Sequence, residues 1–119
     1  MKRRKKFGFP RSILIKSRDR IVELKKKGRL YSTENTKLYV HSGEPGQLES
    51  RFAVQVYGRF HSAVQRNRVK RIFREQLRCH KDIFPSGSSV LLLGSNNLAH
   101  AANDQIRHEL DKLFKGYKA

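Results

Sequence analysis

Between Arg66 and Arg78 the chain sets six cations, Arg66, Arg68, Lys70, Arg71, Arg74 and Arg78, against one acid, Glu75. A planar guanidinium group presents a fork of N–H donors that matches the oxygens of a phosphate. Most charge runs are solvated faces, but those mix signs so that i,i+4 pairs can form. A stretch this one-sided suits an external polyanion. The residues that could perform hydrolysis are not arranged for it. The ten acids are scattered, whereas metal-assisted hydrolysis needs carboxylates clustered around the ion. Glu109 and Asp111 are two positions apart, which points them to different sides of a helix. His41, His61, His80, His100 and His108 show no metal-ligand spacing, and Cys79-His80 has no second pair to complete a zinc site. Asp104 and His108, one helical turn apart, fit a surface pair better than a catalytic one. No glycine-rich phosphate loop precedes a helix. The chain reads as a binding protein and not as a self-sufficient enzyme.

The element that positions these cations is the stretch from Ser62 to Arg78, which contains no Gly and no Pro. At helical spacing Val69, Ile72, Phe73, Gln76 and Leu77 share one face, while Asn67, Arg68, Arg71, Arg74 and Arg78 fall opposite. The Ser62 hydroxyl can accept from an N–H of the first turn and cap the helix. The pattern predicts a half-buried helix whose outer face is made of guanidinium groups.

Ala63-Val64, Arg66-Asn67-Arg68 and Val69-Lys70-Arg71 together resemble the RNR signature of the protein subunit of bacterial ribonuclease P. That signature reads roughly A-V-x-R-N-R, then Ile or Val, then K-R. More weakly, the resemblance extends over almost the whole chain. It implies a partnership with a large catalytic RNA, the two together removing the 5′ leader from precursor tRNA. It also implies that the RNA performs the hydrolysis with Mg²⁺, the protein binding no cofactor of its own. In that family the motif helix would turn Arg66, Asn67, Arg68, Lys70, Arg71, Arg74 and Arg78 toward the catalytic RNA. The leader would lie along the sheet face and the first helix, against Ile21, Lys25, Tyr39, Gln55, Tyr57 and Arg59.

Two departures bear on the leader site. The family's first helix carries F-x-x-V-F-x-x-G; aligned on Gly28, those positions hold Ile21, Leu24 and Lys25, so two aromatics are missing. The loop before the basic helix, S-K-K-x-G-N in the family, is Gly58-Arg59-Phe60-His61 here and keeps one cation. Leader binding is therefore expected to be less stacked and more electrostatic.

The rest of the chain agrees with an RNA partner. A length of 119 residues suits a single RNA-binding domain over 1–119, able to bury roughly two-thirds of its unfolded surface. The net charge of +17, from 27 Lys and Arg against 10 acids, speaks of partners and not of fold. Residues 1–11 read as a basic flexible arm that orders on binding. No apolar h-region follows the cations at 2–6, and no apolar run approaches the ~20 residues of a membrane span. Cys79 is alone, so no disulfide framework exists, and a cytoplasmic setting fits.

The supporting elements can be placed in order. Ser17 to Lys27 reads as a helix, with Asp19 in its first turn, three lysines in its last and Gly28 after it. Residues 30–32 and 36–40 read as strand, either two strands or one with a bend. Ser42 to Gly46 is a turn cluster, and Arg51 to Tyr57 alternates, with Phe52, Val54 and Val56 opposite Ala53, Gln55 and Tyr57. An antiparallel hairpin between these two strand regions is expected. Val90 to Leu93 is apolar without alternation and predicts a central strand buried on both faces. Ile106, Leu110, Leu113, Phe114 and Tyr117 recur at helical spacing, in a closing helix expected to begin near Leu98. The pattern reads α-β-β-α-β-α, with one extra strand possible in 30–40, an α+β class with helices on a small sheet. The family resemblance implies a small mostly antiparallel sheet of about four strands with three helices, in the order α-β-β-β-α-β-α. Pattern alone favours a right-handed β-α-β crossover; the family resemblance implies the unusual left-handed one.

Two other readings share the charge and size. A structural RNA binder such as a ribosomal protein would leave precursor-tRNA cleavage unaffected. A DNA-binding module would need base-reading Asn and Gln on the outer helix face, where Asn67 is the clear candidate.

Overall fold

A computed structural model describes Ile15, residues 18–42 and residues 50–118. The basic arm expected at 1–11, the Ser17 cap and most of the turn cluster after Ser42 lie outside the described residues. The first helix, α1 (Arg18–Lys27), carries Asp19 in its first turn and Lys25, Lys26 and Lys27 in its last. Both charges complement the helix dipole. The chain then turns at Gly28, whose N–H donates to the Leu24 carbonyl at 2.7 Å. Residues 30–40 form two strands, β1 (Arg29–Ser32) and β2 (Thr36–His41), paired as a hairpin. There follow β3 (Arg51–Tyr57), α2 (Ala63–Cys79), β4 (Ser89–Ser95) and α3 (Asn103–Lys118). This is the α-β-β-β-α-β-α order that the family resemblance implies, with the extra strand of 30–40 present.

The sheet order is β1-β2-β4-β3. The expected hairpin between β2 and β3 is absent, because β4 lies between them. It pairs antiparallel with β2, Leu92 opposite Leu38, and parallel with β3, Leu92 opposite Val54. Every position of β4 from Val90 to Ser95 is buried. A strand apolar on both sides gains most from the centre, where helices can cover both faces. The alternating β3 accepts the edge, and α2 becomes the crossover of a parallel β-α-β unit.

On one face Leu38, Val40, Phe52, Val90 and Leu92 meet Val69, Ile72, Phe73 and Leu77 of α2 and Ile106, Leu110 and Phe114 of α3. On the other a smaller cluster of Leu24, Ala53, Leu91 and Leu93 is covered by α1, with Ile15, Ile21 and Tyr39 packed around it. Gly94 is required where α2 crosses β4: a Cβ there would stand 2.5 Å from the Phe73 ring. The closing helix starts at Asn103 and not near Leu98. Residues 96–100 form a separate 3-10 turn instead. The Ala102 N–H takes the Gln105 side chain at 2.8 Å, which caps the new helix.

Candidate RNA interface

The α2 helix is capped as its sequence requires, the Gln65 N–H donating to Ser62 Oγ at 3.1 Å. Its apolar stripe is fully engaged, with Val69, Phe73 and Leu77 at 0% exposure and Ile72 at 4%. Gln76, placed on the same stripe by spacing, is half-buried at its edge. Exposed Asn67 and Arg71 and half-buried Arg74 and Arg78 form one row at i, i+4, i+7 and i+11, opposite the apolar stripe. Arg66 and Lys70 flank it. The Arg66 guanidinium lies 5.8 Å from the Phe60 ring centroid, an arrangement that steadies it over an apolar base. Burial lowers the pKa of the Lys70 ammonium below the ordinary lysine value, and the neighbouring Arg74 and Arg66 charges push it the same way. Arg78 ends the row, its guanidinium 3.8 Å from Cys79 Sγ.

Arg68 is not part of that face. It sits one turn before Ile72, at the border of the buried stripe, and its side chain folds inward. Its guanidinium donates to Asn103 Oδ1 at 2.5 Å, to the Ala99 carbonyl at 3.0 Å and to the Leu98 carbonyl at 3.5 Å. Helical spacing sets Arg68 on the outer face, because a wheel shows no tertiary acceptors. Glu75 does not oppose the row either. Its carboxylate turns to Arg107 of α3, 3.5 Å away.

The residues expected at a leader site lie on the opposite face of the sheet. Lys25 is exposed and Ile21 half-buried on α1. Tyr39 packs against the Leu24, Ala53, Leu91 and Leu93 cluster, so much of its ring is occupied by the fold. Gln55 is half-buried and Tyr57 is 42% exposed. Lys37, overlooked at first, lies on this face two residues before Tyr39, its ammonium 5.8 Å from the Tyr57 ring centroid. Strand alternation could have found it. At the other end of the face Arg20, Lys27 and His41 line a crevice between α1 and the ends of β2 and β4.

Arg59 stands where β3 gives way to α2. Gly58 turns the chain at φ +89, a conformation that favours glycine. The Asn96 side chain then holds the Arg59 carbonyl at 3.0 Å. Asn96 is a site residue that sequence spacing gave no sign of.

Several of the scattered acids are used by the fold. Glu109 accepts from Thr33 Oγ1 at 2.5 Å and from the Asn35 N–H at 2.7 Å, pinning the β1–β2 turn to α3. Asp111 pairs with Lys115 and Asp104 with Arg107, each at 3.3 Å. Among the described residues, no three His, Cys, Asp or Glu side chains gather where they could hold a metal ion. No helix among them is long and apolar enough to cross a membrane.

Residues 9–118 match the protein family described as Ribonuclease P. A ribonuclease P protein component from Desulforapulum autotrophicum is 28% identical over 110 residues, covering 92% of each chain. One from Desulfovibrio desulfuricans is 29% identical over 87% of this chain and 79% of its own. Among solved structures, the Staphylococcus aureus RNase P protein superposes with a TM-score of 0.77 at 22% identity, over 89% of this chain and 95% of its own. The Thermotoga maritima protein gives 0.69 at 24%, over 86% and 94%. At these identities the structural likeness speaks for the fold.

Proposed function

The chain belongs to the ribonuclease P family, and from that premise we propose how its two basic surfaces divide the work. It is the protein component of ribonuclease P, part of an endoribonuclease complex that matures the 5′ end of tRNA. The observation that carries the reading further is the placement of cations on both sides of one sheet. The outward row of α2, with Arg66, Asn67, Lys70, Arg71, Arg74 and Arg78, binds the phosphates of the ribonuclease P RNA. The α1 side, with Ile21, Lys25, Lys37, Tyr39, Gln55 and Tyr57, receives the single-stranded leader of precursor tRNA. Arg59, at the junction, can serve either strand. Because the surfaces face apart, both RNAs can be held at once.

In this reading the protein supplies no reacting group. Mg²⁺ belongs to the RNA, which carries out hydrolysis, and the protein lowers the repulsion between two polyanions brought together. Its setting is the cytoplasm. The support is electrostatic: cations that release counterions from two RNAs lower the Mg²⁺ that would otherwise be needed to screen them. The test is to add the protein to in-vitro transcribed ribonuclease P RNA and follow precursor-tRNA cleavage at low Mg²⁺. Acceleration is expected. No acceleration would return the chain to the class of structural RNA binders.

A further inference from the structure

We propose that Arg68 is a positioning residue, which acts on RNA through the Asn96–His100 turn and contacts no phosphate itself; this rests on the α2 row being the surface that binds ribonuclease P RNA. The first observation is where the donors point. The Arg68 guanidinium is committed to Asn103 Oδ1 and to the carbonyls of Ala99 and Leu98. Three acceptors in fixed places suit a planar fork, and a lysine could not reach all of them. Swinging Arg68 out to a phosphate would strip donors from the end of one turn and the start of α3.

The second observation is what that turn holds. From its opposite end the Asn96 side chain binds the Arg59 carbonyl, and Gly58 lies close against it: a Cβ there would stand 2.6 Å from the Asn96 side chain. The Asn97 side chain reaches Asn35 Oδ1 at 3.3 Å, and the Ser95 N–H meets the Asn35 carbonyl at 2.9 Å. The His100 ring faces that of His61, 6.3 Å apart, just before the first turn of α2. Arg68 therefore reaches back through the turn to the loop that carries Arg59 and His61. The guanidinium fixes the turn, the turn fixes the loop, and the loop sets where these groups stand beside the α2 row. Of the two arginines in the motif, Arg66 offers charge and Arg68 offers geometry.

The two roles differ in salt dependence. A lost phosphate contact flattens the slope of log K against log salt by about 0.7–0.9. A lost positioning contact acts only through the groups it misplaces, so breaking it at either end of the turn should change affinity and slope alike. The experiment measures binding to in-vitro transcribed ribonuclease P RNA across a salt series, well below each variant's melting temperature. Wild type, R68A, R68K, N96A, R68A/N96A and, as a phosphate-contact control, R71A are compared. Expected for R68A and N96A is a loss of roughly fivefold or more, the usual floor for coupling between sites. Both should share one slope, and the double variant should lose less than the product of the two. R68K should resemble R68A, whereas a phosphate contact would survive as lysine. Overturning results are a slope flatter in R68A than in N96A, wild-type affinity in R68K, or wild-type affinity in a folded R68A. Failure of the wild-type protein to bind the RNA would sink the α2 assignment itself, a separable outcome.

Discussion

Glu75 faces Arg107 of α3 at 3.5 Å, and so the acid of α2 is turned away from the arginines of its own helix. Arg71 and Arg78 lie at i−4 and i+3 from Glu75, positions where a freed carboxylate would pair with them. Asp104 braces Arg107 from one turn earlier, at 3.3 Å. The arrangement keeps the Glu75 carboxylate off the outward row. Arg107→Ala should therefore weaken binding to ribonuclease P RNA, although Arg107 is not in the row. Adding Glu75→Gln to that variant should restore it. Equal affinities for the single and double variants would show that Glu75 has no hold on the RNA surface.

Arg71 and Arg74 are the clearest candidates for phosphate ligands in the row. Each to alanine should leave the melting temperature nearly unchanged, because surface substitutions away from special features fall within about 0.5 kcal/mol. Each should flatten the salt slope by somewhat less than one unit. A slope identical to wild type in both variants would move the RNA to another surface.

The core under the row can be tested from either side of one contact. Phe73 is fully buried, and its ring stands where a Cβ on Gly94 would go. Phe73→Ala should cost about 3–5 kcal/mol by leaving a cavity. Gly94→Ala should cost about 1–3 kcal/mol by overpacking. Thermal or denaturant unfolding measures both. An unchanged midpoint for Gly94→Ala would mean that α2 does not cross β4 at this point.

That contact also marks where the sequence stops being legible. The stripe Val69, Ile72, Phe73 and Leu77 was readable because burial follows the 3.6-residue period. The central place of β4 was readable from its missing alternation. The partner of β3 was not, since register and sheet order depend on what inserts between strands and not on either strand alone. Helical spacing also misled at Arg68: an arginine at the edge of the stripe groups with the outer face until the carbonyls of residues thirty positions away are known. Lys37 and Asn96 were overlooked for related reasons. Lys37 gains meaning from Tyr57, which sits two strands away across β4, and Asn96 from a backbone carbonyl.

Lys70 gives a pH test. Its pKa is held below the ordinary lysine value by burial first, then by Arg74 and Arg66. In the folded protein the charged form is therefore disfavoured, a cost present at low pH that fades as pH rises through the lowered pKa. An RNA phosphate nearby acts in the opposite direction and raises the pKa again. Binding should then take up a proton in the alkaline range below the usual lysine titration, and affinity should fall as pH rises there. Calorimetry in buffers of different ionisation enthalpy measures the uptake. Lys70→Arg should abolish it. Proton release, or no exchange in the wild type, would remove Lys70 from the interface.

The leader surface makes the sharpest demand on the sheet's other face. Two first-helix aromatics of the family are replaced here by Ile21 and Lys25, and Tyr39 is partly spent packing on the Leu24 cluster. Tyr57 remains as an open ring, 42% exposed, with the Lys37 ammonium beside it. Stacking of one base on such a ring is worth ~1–3 kcal/mol, and the rest of the grip must come from Lys25, Lys37 and Arg59 pairing phosphates. Precursors with a one-nucleotide and an eight-nucleotide leader separate these terms. Wild-type protein should raise the affinity of the RNA enzyme more for the long leader, with a steeper salt slope. Tyr57→Ala should remove part of that advantage at every salt concentration. Lys25→Ala and Lys37→Ala should flatten the slope, and Tyr39→Ala should show mainly as a lower melting temperature. A protein that strengthened both precursors equally would have no leader site on this face, and Lys37 and Tyr57 would be an ordinary surface pair.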